Sequence, residues 1–186
     1  MGLLSLLCPD LYVPSIYRVD LSRLTDRGIR GLVLDIDNTF VDWGSADIPA
    51  GVLAFLDDAK ARGIRVCVLS NNLRRRIEAI SRALGIPAAR GIKPMRSAFR
   101  AALGVLGTSP NETAVIGDQI FTDILGGNLL GMYTILVVPT SRREFVTTRA
   151  VRKLERAVLR CLTRRGMLSL ESCESRAPGG AEHPKR

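Results

Sequence analysis

Short runs of strand-forming apolar residues alternate with segments of helical spacing through most of the chain. The runs predict strands over about Gly31–Asp35, Ile64–Leu69, Ala88–Ile92, Thr113–Ile116 and Tyr133–Val138, the last closed by Pro139. Most of these runs carry hardly a polar residue. Only Arg65 interrupts the second, as expected of parallel strands covered on both faces. Between them lie predicted helices. One opens at Pro49 and stops at Gly63, with Leu53, Leu56 and Ala59 on one face. A second follows Ser70-Asn71-Asn72 and stops at Gly85, with Asn71 or Asn72 expected as its cap. A third runs from Pro94 to about Gly107, and Ile124–Leu130 covers the turn into the last strand. This β-α alternation with short links predicts an α/β fold, a doubly wound parallel sheet.

The ends of the chain read differently. Residues 1–28 form an N-terminal segment expected to pack on the domain. Leu3, Leu4, Leu6 and Leu7 make a short amphipathic turn that either does so or touches a membrane. A brief helix begins at Asp20 and ends by Gly28. The core is expected over 29–141 and a basic helix over 142–165. Val151, Leu154, Val158, Cys161 and Leu162 would form that helix's apolar face. From Gly166 to Arg186 the Ser, Glu, Pro and Gly content predicts a disordered tail.

Composition narrows the class. The 186 residues suit one domain with a real core. No apolar run reaches the roughly 18 residues of a membrane span. Met1–Cys8 lacks a basic n-region and has too short an apolar core for a signal peptide, so the N-terminus is expected to be retained. Cys8, Cys67, Cys161 and Cys173 form no C-x-x-C pair, which points to a reducing, cytoplasmic setting. The single histidine, His183, lies in the tail, leaving proton transfer to carboxylates or lysine.

The net charge of +9 is uneven. Nine Lys/Arg against two Glu between Arg142 and Arg165 give +7, and residues 1–141 carry only +2. Such a helix attracts anionic lipid at about 1 kcal/mol per basic residue near the surface, and it would attract nucleic acid too. A helix packed on the sheet with a solvated basic face is the plain alternative.

The candidate chemistry gathers at strand ends. Asp35, Asp37, Ser70, Lys93, Asp118 and Asp123 each fall at or just after the C-terminal end of a predicted strand, the edge where open α/β sheets bind ligands. Two carboxylates two residues apart repel unless a cation or shared proton separates them. Taken singly, each residue has an ordinary reading: an Asx turn, a helix cap, a solvated lysine. Together they do not.

Asp35-Ile36-Asp37-Asn38-Thr39 after an apolar strand resembles motif I of the haloacid dehalogenase superfamily. The resemblance implies Asp35 as nucleophile and Asp37 as general acid/base. Ser70 resembles motif II, with Asn71 beside it at the phosphate, and Lys93 resembles motif III. Gly117-Asp118 with Asp123 resembles the metal-binding motif, implying Mg²⁺ held by Asp35, Asp37, Asp118 and Asp123. The resemblance spans about residues 9–140. Pro9–Ile16, Ser70-Asn71-Asn72 and Gly117–Asn128 look like the YqeG-type branch of subclass IIIA, related to phosphatidylglycerophosphate phosphatases of mitochondria and plastids. Phe40 stands where that family usually has Leu, and Phe40–Ser45 is similar to its flap. The intervals Asp37–Ser70 and Ser70–Lys93 are too short for a cap domain, so the fold is expected to be capless and the site open.

The resemblance thus implies a Mg²⁺-dependent phosphatase acting on phosphatidylglycerophosphate, cytoplasmic or peripheral on the inner face of the membrane through 142–165. Its rivals are a phosphatase of a soluble sugar phosphate or nucleic-acid end, and a basic RNA- or ribosome-binding module with a vestigial site.

Overall fold

A computed structural model describes residues 2–40, 48–140 and 146–169. Residues 41–45 of the expected flap, 142–145 of the expected basic helix and most of the tail (170–186) lie outside these described residues.

Five strands form one wholly parallel sheet: β1 (Leu11–Val13), β2 (Gly31–Leu34), β3 (Arg65–Val68), β4 (Thr113–Gly117) and β5 (Tyr133–Val137), in the order β1-β5-β4-β2-β3. The chain leaves β2 for β3 on one side and later returns on the other side as β4. That reversal opens a crevice at the C-terminal ends of β2 and β4. Leu34 registers with both Val68 and Ile116, so the three strand ends are level.

Alternation along the strands divides the core. Leu32, Leu34, Val66, Val68, Ile116 and Ile135 face a cluster built with Leu24 of α2 (Leu21–Asp26), Leu56 of α3 (Ala50–Ala61) and Ile80 of α4 (Arg74–Leu84). Val33, Cys67 and Val115 face the other way, onto Phe99, Ala102 and Leu106 of α5 (Arg96–Leu106). Each such buried Leu, Ile or Phe contributes about 1.5–3 kcal/mol. On that second face Leu136 meets Ile120 and Ile124 of a π-helical turn (Ile120–Ile124), which runs on into α6 (Leu125–Asn128). Leu7, after the short α1 (Leu3–Leu6), and Val158 and Leu159 of α7 (Val146–Arg164) close this end. Gly126 is required here, because a Cβ on it would lie 2.1 Å from the Phe99 ring. No helix among the described residues is long and apolar enough to cross a membrane.

Several expectations need correction. The stretch Ala88–Ile92 is not a strand. It makes one bridge, Val68 to Ala88, before Gly91 at φ 144° bends it away. The fifth strand is instead β1 at the sheet edge, hidden in the sequence by its three-residue length and by Pro9 and Pro14 on either side. In α3 the buried face is Val52, Phe55, Leu56 and Ala59, and Leu53 is exposed. In α7 the inward face is Glu155, Val158, Leu159 and Leu162, with Arg152 half-buried beside it. Val151 and Leu154 are exposed. Arg152 and Glu155 meet the polar turn after β4, at Asp118 and the Ile120 N–H, so an apolar stripe does not continue there.

Candidate active site

The site is assembled by four chain segments at the level strand ends. Asp35 follows β2 directly, its N–H donating to Ile116 O at 2.9 Å, which ties it to β4. Asn38 then takes φ 60°, a left-handed conformation that Asn tolerates better than most residues. The resulting turn brings Thr39 Oγ1 to 3.4 Å from Asp35 Oδ2.

The loop after β3 is fixed by its asparagines. Asn71 does not cap α4. Its Nδ2 donates to Lys93 O at 3.0 Å and its Oδ1 accepts from Lys93 N at 2.7 Å, so the side chain splints the 70–72 loop to the 91–95 loop. Asn72 does not cap it either. Its Nδ2 donates to Asp37 Oδ2 at 2.8 Å, while Arg76 donates to Asp37 Oδ1 at 2.9 Å. The N-cap position of α4 falls to Leu73, without a side-chain bond. Ser70 is buried, and its Oγ accepts from Asn72 N at 3.3 Å.

Splinted in this way, Lys93 sends its ammonium inward. Nζ donates to Asp35 Oδ1 at 2.5 Å and to Asp123 Oδ1 at 2.6 Å, with all three side chains buried. Asp123 stands on the π-helical turn, its Oδ2 accepting from Gln119 N at 3.1 Å. Such turns recur at functional sites. Gly117 makes room for it, since a Cβ there would fall 2.2 Å from Asp123 Cγ. Asp118, also buried, follows β4 and is gripped by Arg152 of α7. One guanidinium nitrogen donates to Asp118 O at 2.6 Å and the other to its Oδ2.

Asp35, Asp118 and Asp123 each offer an oxygen within 4.8 Å of the others. Asp37 is not in that group, because both its oxygens face Asn72 and Arg76. Three buried carboxylates against Lys93 and Arg152 leave an excess of negative charge in a dry place. Burial pushes the Asp35 carboxyl up to about 6, the Asp123 and Asp37 charges adding to this and Lys93 opposing it. Burial also raises Asp118, against the pull of Arg152. Burial alone would lower Lys93, but Asp123 and Asp35 outweigh it and hold its pKa above the ordinary value.

The group fits a hard cation. All its donors are oxygens, and Asp118 Oδ1 is buried without a hydrogen-bond partner in the structure. An acidic pocket of this kind at strand ends can bind a divalent metal and, through it and Lys93, an anion.

Sequence reasoning did not single out Asn72 or Arg76 as partners of Asp37, nor Arg152 and Glu155 as neighbours of Asp118. One signal was available for the last pair. Glu155 is the only acid between Arg149 and Arg165.

Residues 9–131 match the family model for haloacid dehalogenase-like hydrolase. The chain belongs to that family; it is an enzyme, and within the superfamily a phosphatase. Over 164 residues it is 37% identical to "Probable phosphatase YqeG" of Bacillus subtilis, covering 88% of this chain and 95% of that protein. Over 171 residues it is 32% identical to "Phosphatidylglycerophosphate phosphatase 1, chloroplastic/mitochondrial" of Arabidopsis thaliana, covering 86% of this chain and 49% of that protein. The chain therefore spans about half of the plant protein's length. Among solved structures, an uncharacterized protein from Listeria monocytogenes superposes with a TM-score of 0.50 at 17% identity, covering 73% of this chain and 99% of that one. At that identity the likeness concerns the fold alone.

Proposed function

We propose that this protein is a Mg²⁺-dependent phosphomonoester hydrolase working through an aspartyl-phosphate on Asp35, with phosphatidylglycerophosphate as its substrate. The observation that carries the catalytic part is the buried group of Asp35, Asp118 and Asp123 around Lys93 at the crevice of the sheet.

Asp35, Asp118 and Asp123 would hold the metal, which when bound neutralises phosphoryl charge as a Lewis acid. Every other part belongs to the chain. Asp35 attacks phosphorus, the bond to the ester oxygen breaks, and an acyl-phosphate forms. Asp37, aimed by Asn72 and Arg76, gives its proton to the departing alkoxide. It then takes one from the water that hydrolyses the acyl-phosphate. Lys93 offsets charge on Asp35 and on the phosphoryl oxygens. Ser70 Oγ and the Asn71 N–H of the splinted loop are donors for those oxygens.

The lipid substrate rests on the plant relative and on the rim of the site. Leu73, Ile92 and Met95 are 79%, 69% and 57% exposed, on the two loops that Asn71 joins. Exposed apolar side chains grouped at a site mouth mark an interaction surface. Around them Arg74, Arg75, Arg90 and Arg96 are exposed, with Glu78 the one acid between Asn71 and Arg96. An apolar tip in a basic collar suits an anionic bilayer. A cavity of about 490 Å³ opens beside Ser70, lined in part by Arg74, Ile77, Arg90 and Ile92. It would receive the leaving group. No inserted domain closes the crevice among the described residues: α3 and β3 stand in the first interval and α4 in the second.

The test is phosphate release from phosphatidylglycerophosphate in vesicles and from a panel of soluble phosphomonoesters, with and without Mg²⁺. The lipid should turn over with the highest kcat/KM, and only with the metal. A soluble ester turning over faster would replace the substrate and leave the chemistry standing.

A further inference from the structure

We propose that Arg152 and Glu155 of α7 are positioning residues for Asp118, presenting its unpartnered oxygen to the metal. This inference rests on the metal-dependent reading above.

The contacts converge on one turn. Arg152 donates to the carbonyl of Asp118 at 2.6 Å and to its Oδ2, and at 3.0 Å to Glu155 Oε2. Glu155 Oε1 accepts from Ile120 N at 2.7 Å. The pair thus grips the backbone on both sides of Gln119 and one oxygen of the Asp118 carboxylate. A planar guanidinium suits such two-pronged binding, whereas an ammonium is a point charge without that fixed fork. With Oδ2 and the main chain fixed, the carboxylate cannot rotate freely, and its Oδ1 is left buried with no hydrogen-bond partner. A desolvated carboxylate oxygen without a partner is unfavourable unless a cation meets it.

Glu155 itself argues against a merely solvated basic helix. It is 3% exposed on an element otherwise crowded with Lys and Arg, and it faces the site rather than the apolar core. Both residues lie beyond the 9–131 stretch that matches the family model. The grip on Asp118 thus comes from the C-terminal helix, outside the stretch that the family model matches. Such partners of metal-ligating carboxylates typically change affinity about 10- to 100-fold.

The experiment is calorimetric titration of Mg²⁺ into the metal-free full chain at neutral pH. It compares wild type with Arg152→Gln, Arg152→Lys and, as a control on the exposed face of the same helix, Arg160→Gln. Arg152→Gln should weaken Mg²⁺ binding about 10- to 100-fold, Arg152→Lys by less, and Arg160→Gln not at all. The Mg²⁺ concentration giving half-maximal turnover should rise by the same factor, with kcat restored at saturating Mg²⁺. A purely structural role would lower the melting temperature without moving the Mg²⁺ affinity. A folded Arg152→Gln protein binding Mg²⁺ as tightly as wild type would overturn the proposal. Tighter binding would overturn it too, because the guanidinium would then be a competitor for the metal's place. If Arg152→Gln fails to fold, Arg152→Lys decides in the same way. Wild type binding no Mg²⁺ would remove the metal-dependent reading itself, a result distinct from equal binding by the variants.

Discussion

Lys93 and Asp35, fifty-eight residues apart, meet inside the protein with Nζ 2.5 Å from Oδ1. The same ammonium reaches Asp123, so one buried cation links the end of β2 to the turn after β4. The link exists because Asn71 holds the Lys93 backbone in place. It lets buried acids from two strand ends share one crevice.

Lys93→Met should therefore damage both stability and catalysis. Breaking a buried pair leaves its partners uncompensated, at about 3–5 kcal/mol. Urea unfolding of the metal-free variant at neutral pH should show a loss of that order, and Mg²⁺ should restore part of it. The deficit should shrink as pH falls, because protonated carboxyls no longer need the ammonium. A deficit unchanged at acid pH would place the damage elsewhere.

Metal affinity should depend on pH in a defined direction. Burial, first of all, raises the Asp35 carboxyl to about 6, and a raised acid is protonated below that value. Metal must displace this proton. Mg²⁺ affinity in calorimetry should fall on acidification through about 6, near tenfold per unit for the Asp35 proton, with the raised Asp118 carboxyl adding to the fall. Affinity indifferent to pH across that window would contradict the assignment of Asp35 as a ligand.

Two glycines should separate site from scaffold. Gly117→Ala would push on Asp123, and Gly126→Ala on the Phe99 ring. Overpacking of this kind costs about 1–3 kcal/mol. Both variants should melt earlier, but Gly117→Ala should also lose Mg²⁺ affinity by calorimetry, while Gly126→Ala should keep it. Equal affinities in the two would show that Asp123 is not held where the metal needs it.

Much of the site could be read from the chain because its residues sit where apolar runs end. Asp35, Lys93, Asp118 and Asp123 are spread over 89 positions, yet parallel strands of matched register deliver them to one edge. The partners were harder to see. Asn72 and Arg76 look like a turn and a helix surface until Asp37 is placed beside them. Arg152 looks like one of many basic residues, because a charge count has no direction. The face of α7 shifted for the same reason: spacing marks an apolar stripe, but the docking surface near β4 is polar. Likewise β1 owes its existence to pairing with β5, a long-range contact that no local pattern records.

The rim and the C-terminal helix make separable claims about membranes. Arg152 belongs to the site and has to be left out of any test of surface charge. Leu73→Gln with Met95→Gln should lower sedimentation with anionic vesicles, even at low salt. Lys153, Arg156 and Arg160 to Gln should lower it mainly at low salt, since exposed charges are screened beyond about 8 Å at physiological ionic strength. Neither set should alter turnover of a small soluble phosphomonoester. Unchanged sedimentation in both sets would reject the rim and the helix as membrane contacts.

The most direct test of the catalytic assignment is phosphate release by Asp35→Asn in the presence of Mg²⁺, measured on a protein whose circular dichroism matches wild type. An amide cannot attack phosphorus, so turnover should fall to background for every ester. A folded Asp35→Asn protein releasing phosphate at close to the wild-type rate would contradict it.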